Sequence, residues 1–358
     1  AYPWRCVLSG KRVTLKEIAQ KTGVSLGTVY RAIYNKSGIS EATRKRILEE
    51  VERSNYQIDE AASVLKRSAK KVLVVLPKPQ NEDRFYFRGI WRGIREAAKG
   101  MEQYKIYFEM IESEYPLYQI SNELERVYDE KLDEMDGLIT ISDSGAANLW
   151  IERFIRRGIY TVLVSSYYET ETTHSLNSIK VDLVRSGRLA AEFIQYGLKQ
   201  DQGKILMLCG GKNVYNNRVY AKSFEKEMRE KSYEILTVEG FGRENIEAQA
   251  LEYLEKEPVK AIFSSNARNT YAICRILEEY DFPKNILVIG TDIFEELVPY
   301  FEDGILNGVI CQYHWEQGLK AVKKIYEYLS RGCREQENEV LPCVLLMKSN
   351  YECFLDLV

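Results

Sequence analysis

The chain has 358 residues and a net charge of −3, and this length allows two or three domains with substantial cores. Its apolar runs are no longer than strands, so no membrane span is predicted, and residues 1–10 lack the features of a secretory signal. Seven widely spaced cysteines without a C-x-x-C motif and two isolated histidines argue against a disulfide framework, a zinc site and Ser-His-Asp catalysis. We therefore expect a cytoplasmic protein without a cofactor.

Charge is distributed unevenly along the chain. Residues 1–71 carry 15 Lys and Arg against 7 Asp and Glu, whereas the remainder carries 35 against 46. A basic segment on an acidic body indicates a nucleic-acid-binding module joined to a domain with another role. A solvated basic face is the alternative, and it fits less well because the excess is confined to one candidate domain.

Three short helices are predicted in the basic segment. Thr14 and Glu17 have capping-box spacing, so the first helix should run from Thr14 to about Lys21. Ser25 and Ser40 are suitable N-caps for the second and third helices. The residues expected to face inward are Leu15, Ile18 and Ala19, then Val29, Ala32 and Ile33, then Ile47, Leu48 and Val51.

A helix, a tight turn and a second helix make a helix-turn-helix, in which the second helix enters the major groove of DNA. The small residues at the start of that helix would let it approach base edges closely. Ser25 and Thr28 can bond phosphates or bases, and Arg31 can reach a phosphate or fork onto guanine. The alternative is a structural three-helix bundle with a solvated face.

Residues 13–56 read VTLKEIAQKTGVSLGTVYRAIYNKSGISEATRKRILEEVERSNY. This stretch resembles the DNA-binding headpiece of the lac repressor family of bacterial transcription regulators. The resemblance implies a headpiece over residues 11–57, in which Leu26 and Gly27 match the base-reading pair. Tyr30 stands where serine is usual, so the operator cannot be transferred from a relative. The candidate DNA-contacting residues of the headpiece are Thr14, Ser25, Leu26, Gly27, Thr28, Arg31 and Asn35.

Residues 58–70 correspond to the hinge of that family, a linker that folds into a helix on operator DNA. The resemblance makes Leu65 the candidate for the leucine that wedges into the minor groove. Ile58 and Asp59 replace the usual Pro-Asn, and Glu60 follows, so acidic groups would lie near phosphates. A plain tether is the alternative.

The body, residues 71–358, alternates apolar strands with amphipathic helices, which predicts parallel sheets covered on both faces. The strand candidates are 72–76, 105–109, 137–141, 161–165, 204–208, 234–238, 260–264 and 286–290. These exceed one six-stranded sheet, so we expect an α/β body of two doubly wound subdomains with a ligand cleft at the strand ends. The expected boundaries are 71–198 with 313–342 for the first subdomain, and 199–312 with 343–358 for the second.

The resemblance extends through the body, which is similar to periplasmic sugar-binding proteins of the ribose-binding type. Such proteins bind hydroxyls through carboxylates and amides and cover the sugar ring with aromatic side chains. Taken singly, each aromatic could belong to the core, and each aspartate could be a cap. The implied ligand-binding residues are Phe85, Tyr86, Ser165, Asp182, Arg218, Tyr220, Phe241, Asn266, Asp292 and Gln312.

The body departs from the family pattern at two places. Ser165 and Ser166 stand where Asp-Arg is expected, and Tyr220 stands where Arg is expected. Fewer charges and more tyrosines suggest a neutral ligand.

We interpret the chain as a ligand-responsive transcription regulator, most simply a homodimeric repressor of carbohydrate-utilisation genes with operator DNA and a sugar-like effector as its partners. The headpiece argues against a periplasmic-type solute receptor. An enzyme is disfavoured because residues 208–213, LCGGKN, match neither the dinucleotide nor the P-loop motif. A regulator of the same fold that senses a non-sugar or protein effector is the remaining alternative.

Overall fold

Three helices form the headpiece: α1 (Leu15–Thr22), α2 (Leu26–Ile33) and α3 (Glu41–Arg53). The capping box is confirmed, since Glu17 N donates to Thr14 Oγ1 at 3.3 Å and Thr14 N donates to Glu17 Oε2 at 2.7 Å. Ser40 caps α3 by accepting from Thr43 N at 3.2 Å. The computed structural model describes residues 13–33, 37–54, 68–142, 144–166, 176–199, 203–211, 214–331 and 338–355. Asn35, Leu65 and most of the expected hinge lie outside these ranges.

The buried face of α3 differs from the prediction at one position. Ile47 is fully buried, but Leu48 is 40% exposed and Glu50 is buried in its place. Glu50 accepts from Ser54 Oγ at 2.6 Å and pairs with Lys21 Nζ at 3.3 Å, so it ties α3 to α1. The hydrogen bond from Ser54, followed by those from the basic partners, lowers the pKa of Glu50. A helical spacing rule places apolar side chains well, but it does not foresee a paired carboxylate on the inner face.

Twelve strands are present in the described part of the body. They include all eight predicted strands and four that were not predicted, namely β5, β10, β11 and β12. In chain order the strands are β1 (Lys70–Pro77), β2 (Ile106–Ser113), β3 (Gly137–Thr140), β4 (Tyr160–Val164), β5 (Leu176–Val181), β6 (Lys204–Cys209), β7 (Ile235–Glu239), β8 (Val259–Ser264), β9 (Leu287–Thr291), β10 (Gly308–Cys311), β11 (Glu339–Leu341) and β12 (Val344–Leu346).

The helices of the body cover the faces of the sheets. In chain order they are α4 (Arg84–Ala98), α5 (Ile120–Lys131), α6 (Gly145–Arg156), α7 (Leu183–Leu198), α8 (Tyr215–Glu230), α9 (Arg243–Lys256), α10 (Ala267–Glu279), α11 (Val298–Glu302), α12 (His314–Arg331) and α13 (Glu352–Leu355). None of the helices in the described ranges is long and apolar enough to cross a lipid bilayer.

The strands form two six-stranded sheets, each the centre of one lobe. The first lobe has the strand order β11-β5-β4-β3-β1-β2, and its strand pairs are parallel. The second lobe has the order β12-β10-β9-β8-β6-β7, in which only β12 runs antiparallel to its neighbour. Continuous apolar strands such as β1 are buried on both faces, as expected for parallel sheets. The predicted architecture of two doubly wound subdomains is confirmed.

Within the residues that the structure describes, the chain crosses between the lobes three times, and the first crossing comes earlier than expected. It lies at Asp182, because α7 packs against α8 and buries Ala190 and Ile194 in the core of the second lobe. The expected boundary at 198 therefore assigned α7 to the wrong lobe. The second crossing follows Gln312 and leads into α12, and the third lies between β11 and β12.

Two glycines bring α4 and α12 of the first lobe into backbone contact. A β-carbon on Gly93 would overlap the carbonyl oxygen of Trp315, and one on Gly318 would overlap that of Ile90. The helices can therefore approach only because neither position carries a side chain.

We predict that Gly93→Ala lowers the free energy of unfolding by about 2 to 3 kcal/mol, because the added methyl group must push two backbones apart. Urea denaturation measures the change. Gly145→Ala, at the start of α6, is the matched control, since a β-carbon there has no atom within 4 Å. Equal stability of Gly93→Ala and the control variant would contradict the close helix contact.

Candidate functional site

The start of α2 is organised by two hydroxyl side chains. Ser25 Oγ accepts from Thr28 N at 3.1 Å and lies 2.8 Å from Thr28 Oγ1, so Ser25 caps the helix as predicted. Arg44 Nη1 donates to the carbonyl oxygens of Arg31 and Ala32 at the other end of the helix. Both ends of α2 are therefore fixed by side chains of the headpiece.

One face of α2 is exposed and the other packs on the headpiece core. Val29 and Ala32 are buried, whereas Leu26 is 52% exposed and Gly27 and Arg31 are also exposed. A β-carbon on Gly27 would meet no atom closer than Ser25 Oγ at 3.8 Å. Small, apolar and guanidinium groups on one accessible helix face suit contact with base edges and phosphates.

Two further headpiece residues considered in the sequence analysis are Thr14 and Tyr30. Thr14 uses its side chain in the capping box of α1, so its contribution there is structural. Tyr30 is 47% exposed on the same side of α2 as Leu26. The phenol therefore stands where a reading helix would meet DNA.

A second candidate site lies at the carboxyl ends of strands in the second lobe, where Ser265 and Asn266 follow β8, Asp292 follows β9 and Gln312 follows β10. Neighbouring parallel strands bring these residues to one edge of the sheet. Asp292 has a positive φ of 65°, a backbone conformation uncommon for residues other than glycine. This backbone conformation after β9 therefore fixes the direction in which the carboxyl group of Asp292 points.

Asp292 is the centre of this second site. Its side chain is 1% exposed and accepts from Gln312 N at 3.0 Å and from Gln312 Nε2 at 2.9 Å. His314 Nε2 lies 3.6 Å from Asp292 Oδ2. Burial raises the pKa of Asp292 to about 8 and lowers that of His314 to about 3. Both groups are therefore uncharged in the folded chain at neutral pH.

Several buried polar atoms around Asp292 have no hydrogen-bond partner among the described residues. They are Tyr220 Oη, Ser265 Oγ, Asn266 Nδ2 and His314 Nε2. The Tyr220 hydroxyl lies beside Thr291, without a hydrogen bond of ordinary geometry, and burial raises its pKa. An unsatisfied buried donor or acceptor costs about 1 to 3 kcal/mol, so a set of them is a strong sign of a bound partner.

Aromatic rings border these polar atoms. The Tyr86 ring lies 4.3 Å from the His314 ring. Phe241 is partly exposed and lies directly over Gly210, where a β-carbon would overlap the ring. Arg268 places its guanidinium 5.5 Å from the centre of the Phe241 ring. The site thus combines hydroxyl-binding groups with flat apolar surfaces.

A hydrogen-bond network connects this site to the first lobe. Gln317 is fully buried, and its Oε1 accepts from Ser165 N at 2.8 Å and Ser165 Oγ at 2.7 Å. Gln317 Nε2 donates to Gln312 O at 2.8 Å. Ser165 O in turn accepts from Asn216 Nδ2 of the second lobe. These hydrogen bonds connect Ser165 of the first lobe, through Gln317, to Gln312. Gln312 in turn holds the carboxyl group of Asp292.

Two family profiles divide the chain between them. The profile of the periplasmic binding protein domain matches residues 73–332, which is most of the chain. The profile described as bacterial regulatory proteins, lacI family, matches residues 14–59 and so covers the headpiece. The chain therefore carries a lacI-family DNA-binding domain, followed by a body that belongs to the periplasmic binding protein domain family. It is a transcription regulator with a helix-turn-helix headpiece and a periplasmic-binding-protein body.

Curated relatives of this chain are named as transcription regulators or repressors. The ribose operon repressor of Lactococcus lactis is 25% identical over 340 residues, which cover 92% of this chain and 95% of the relative. Catabolite control protein A of Priestia megaterium is 23% identical over 291 residues, with 78% and 82% covered. The regulator MalR of Streptococcus pneumoniae is 39% identical over 90 residues, which span 24% of this chain and 27% of the relative.

Solved structures show the same fold. A periplasmic ribose ABC transporter protein from Conexibacter woesei has a TM-score of 0.67 at 20% identity, with 80% of this chain and 94% of that chain covered. The lac repressor dimer bound to operator has a TM-score of 0.60 at 18% identity, with 94% and 98% covered. The two matches support the division into a headpiece and a two-lobed body.

The structure brings together six of the ten ligand-binding candidates. These are Tyr86, Ser165, Tyr220, Asn266, Asp292 and Gln312, while Phe241 lies over Gly210 at the end of β6, the strand next to β8. Asp182 instead caps α7 by accepting from Arg185 N at 3.0 Å, and Arg218 is exposed beside Tyr215. The remaining candidate, Phe85, is buried against the second lobe, where its ring stacks on Phe294.

Three residues of the site were not predicted: Ser265, His314 and Gln317. Ser265 follows β8 directly, so the rule that found Asn266 could also have found it. His314 and Gln317 lie in the helix that follows β10, and β10 was not among the predicted strands. His314 is one of the two histidines whose isolation in the sequence gave no indication of a binding role.

The titration of Asp292 gives a prediction about stability and pH. Because its pKa is about 8 in the folded chain and about 4 in the unfolded chain, the unfolded chain releases this proton first as pH rises. Wild type should therefore lose stability between about pH 4 and pH 8 through this group. Asp292→Asn removes the loss, so its free energy of unfolding relative to wild type should increase from pH 5 to pH 8 in urea titrations.

His314→Gln provides a control of opposite sign. The imidazole has a pKa of about 3 when folded and about 6.5 when unfolded, so wild type loses stability through His314 as pH falls below about 6.5. The free energy of unfolding of His314→Gln, relative to that of wild type, should therefore increase as the pH is lowered. A difference from wild type that is constant with pH for both variants would refute the burial of these groups.

Proposed function

We propose that this lacI-family regulator represses carbohydrate-utilisation genes in the cytoplasm, where it binds operator DNA as a homodimer and a neutral polyhydroxylated effector in the cleft between the lobes. The observation that carries the effector class is the set of unpartnered polar atoms around Asp292. Each can bond a hydroxyl group, and the rings of Phe241 and Tyr86 offer flat surfaces for a sugar.

The electrostatics of the site favour an uncharged effector. Asp292 and His314 are both neutral in the folded chain near pH 7, for the reasons of burial given above. Arg268, whose guanidinium lies 5.5 Å from the centre of the Phe241 ring, is already paired with Asp83. A phosphate or carboxylate on the effector would therefore be buried without a matching cation from these residues.

The ribose and catabolite regulators among the relatives support a role in carbohydrate use, since their names refer to a ribose operon and to catabolite control. A homodimer fits this proposal because two headpieces would read two half-sites about one DNA turn apart. The effector would act by changing how the lobes and the headpieces are placed. The same coupling free energy would make operator DNA alter effector affinity.

The exposed face of α2 leads to a prediction about DNA. Arg31→Ala should weaken binding to an operator selected from random DNA by the full-length protein, by about tenfold, because a base- or phosphate-contacting guanidinium is lost. Fluorescence anisotropy measures the dissociation constant. Lys256→Ala removes the same charge at the end of α9 in the body and should leave the affinity within about twofold. Equal effects of both substitutions would show that only net charge matters.

The cleft leads to a prediction about ligands. In a thermal-shift panel of neutral sugars, sugar phosphates and sugar acids, a neutral sugar should raise the melting temperature in a concentration-dependent way. Phe241→Ala and Asp292→Ala should abolish the shift, whereas Lys256→Ala should not. A response to sugar phosphates alone would exclude the neutral class. A flat panel would favour a non-sugar or protein effector and leave the DNA-binding assignment intact.

A further inference from the structure

A short segment of the first lobe reaches across to the second lobe. It consists of Glu82, Asp83, Arg84 and Phe85, at the start of α4. Phe85 is only 7% exposed, and the residues that bury it belong to the core of the second lobe. Its ring stacks on Phe294 with centroids 4.0 Å apart and meets the edge of Tyr271 at 5.3 Å. This aromatic contact gives the segment an apolar anchor in the opposite lobe.

Two ion pairs flank the anchor. Arg84 donates to Glu296 Oε1 from Nη2 at 3.0 Å and from Nε at 3.3 Å. Asp83 pairs with Arg268 on α10. Both pairs are partly shielded, because each of these four side chains is about one third exposed or less. Opposite charges on the two lobes therefore hold the segment that carries Phe85 against the second lobe.

Glu82 adds a fourth contact with the second lobe. Its Oε2 would lie 2.5 Å from a β-carbon on Gly242, whose φ is +76°. Gly242 N is itself held by Asn269 Oδ1 at 2.9 Å. A larger residue at 242 would thus strain the turn and displace the segment, so glycine keeps the docking surface open.

We propose that residues 82–85 form an intramolecular latch, an internal ligand of the second lobe that holds the lobes together without help from a bound effector. The latch uses an aromatic anchor and two charge pairs, none of which includes the polar atoms around Asp292. Opening of the cleft then requires Phe85 to leave its aromatic contacts and both ion pairs to separate. The strength of the latch sets how closed the body is before any effector binds.

Charge reversal tests the latch in the full-length protein. Asp83→Arg should separate the lobes, because it places a second cation against Arg268. Hydrogen–deuterium exchange is then read on the lobe without the substitution, in peptides covering 266–273 and 291–298. We expect exchange there to become about tenfold faster, as for a region with weakened local stability, with a larger radius of gyration by small-angle X-ray scattering. Arg268→Asp should have the same effect on peptides covering 80–90.

The double variant Asp83→Arg with Arg268→Asp restores an opposite pair and should return exchange and radius to wild-type values. Phe85→Ala should open the lobes more than either charge reversal. Lys256→Glu is the matched control: it reverses the charge of an exposed side chain that pairs with Glu252 within α9. This control should leave both measurements unchanged.

The outcomes separate a latch from a general loss of stability. Faster exchange at the lobe contacts, with β6 and β8 still protected, supports the latch. Faster exchange throughout both sheets, or no rescue by the double variant, overturns it, as does unchanged exchange in the single charge reversals. If Phe85→Ala fails to fold, the charge-reversal set still decides, because its two side chains, Asp83 and Arg268, lie partly exposed at the lobe boundary.

Discussion

Burying the carboxyl group of Asp292 requires hydrogen-bond donors, and Gln312 supplies two of them from the segment that returns the chain to the first lobe. This interaction fixes the second crossing, and the crossing delivers His314 and Gln317 to the strand ends. Gln317 then holds Ser165 across the lobe boundary. The candidate ligand site and the connection between the lobes therefore depend on one buried acid and its amide partner.

Sequence reasoning succeeded where structure is set by local chemistry. The headpiece follows from three N-caps and a 3.6-residue apolar period, and most of the eight predicted strands of the body are apolar runs bounded by polar residues, although β2 contains Glu109 and Glu112. It failed where tertiary context decides. Strand β5 contains Asn177 and Ser178, which are buried through hydrogen bonds, and β11 and β12 have only three residues each. Such strands lack a sequence signature because polar residues interrupt β5, and three residues are too few to show a strand pattern.

The candidate ligand site also contains residues that local sequence predicted and residues that only the tertiary structure places there. Residues directly after recognised strands, such as Asn266 and Asp292, were predicted because parallel strands bring their ends together. His314 and Gln317 belong to a helix that packs on the first lobe, and only the crossing places them beside Asp292. Phe85 was expected at the ligand, but the lobe contact uses its ring. An aromatic residue in a cleft can serve a ligand or the protein, and its sequence position does not distinguish the two.

The order in which the chain leaves the ribosome gives the second crossing a consequence for folding. The first lobe begins at β1, yet it is completed by α12 and by β11, which are made only after strands β6 to β10 of the second lobe. Until then, the face of α4 that receives α12 and the open edge of β5 stay uncovered. Long-range closure of this kind slows folding and exposes unpaired strand edges. The headpiece, built from contacts within about forty residues, can fold long before, so this regulator acquires its DNA-reading unit first and its sensing unit last.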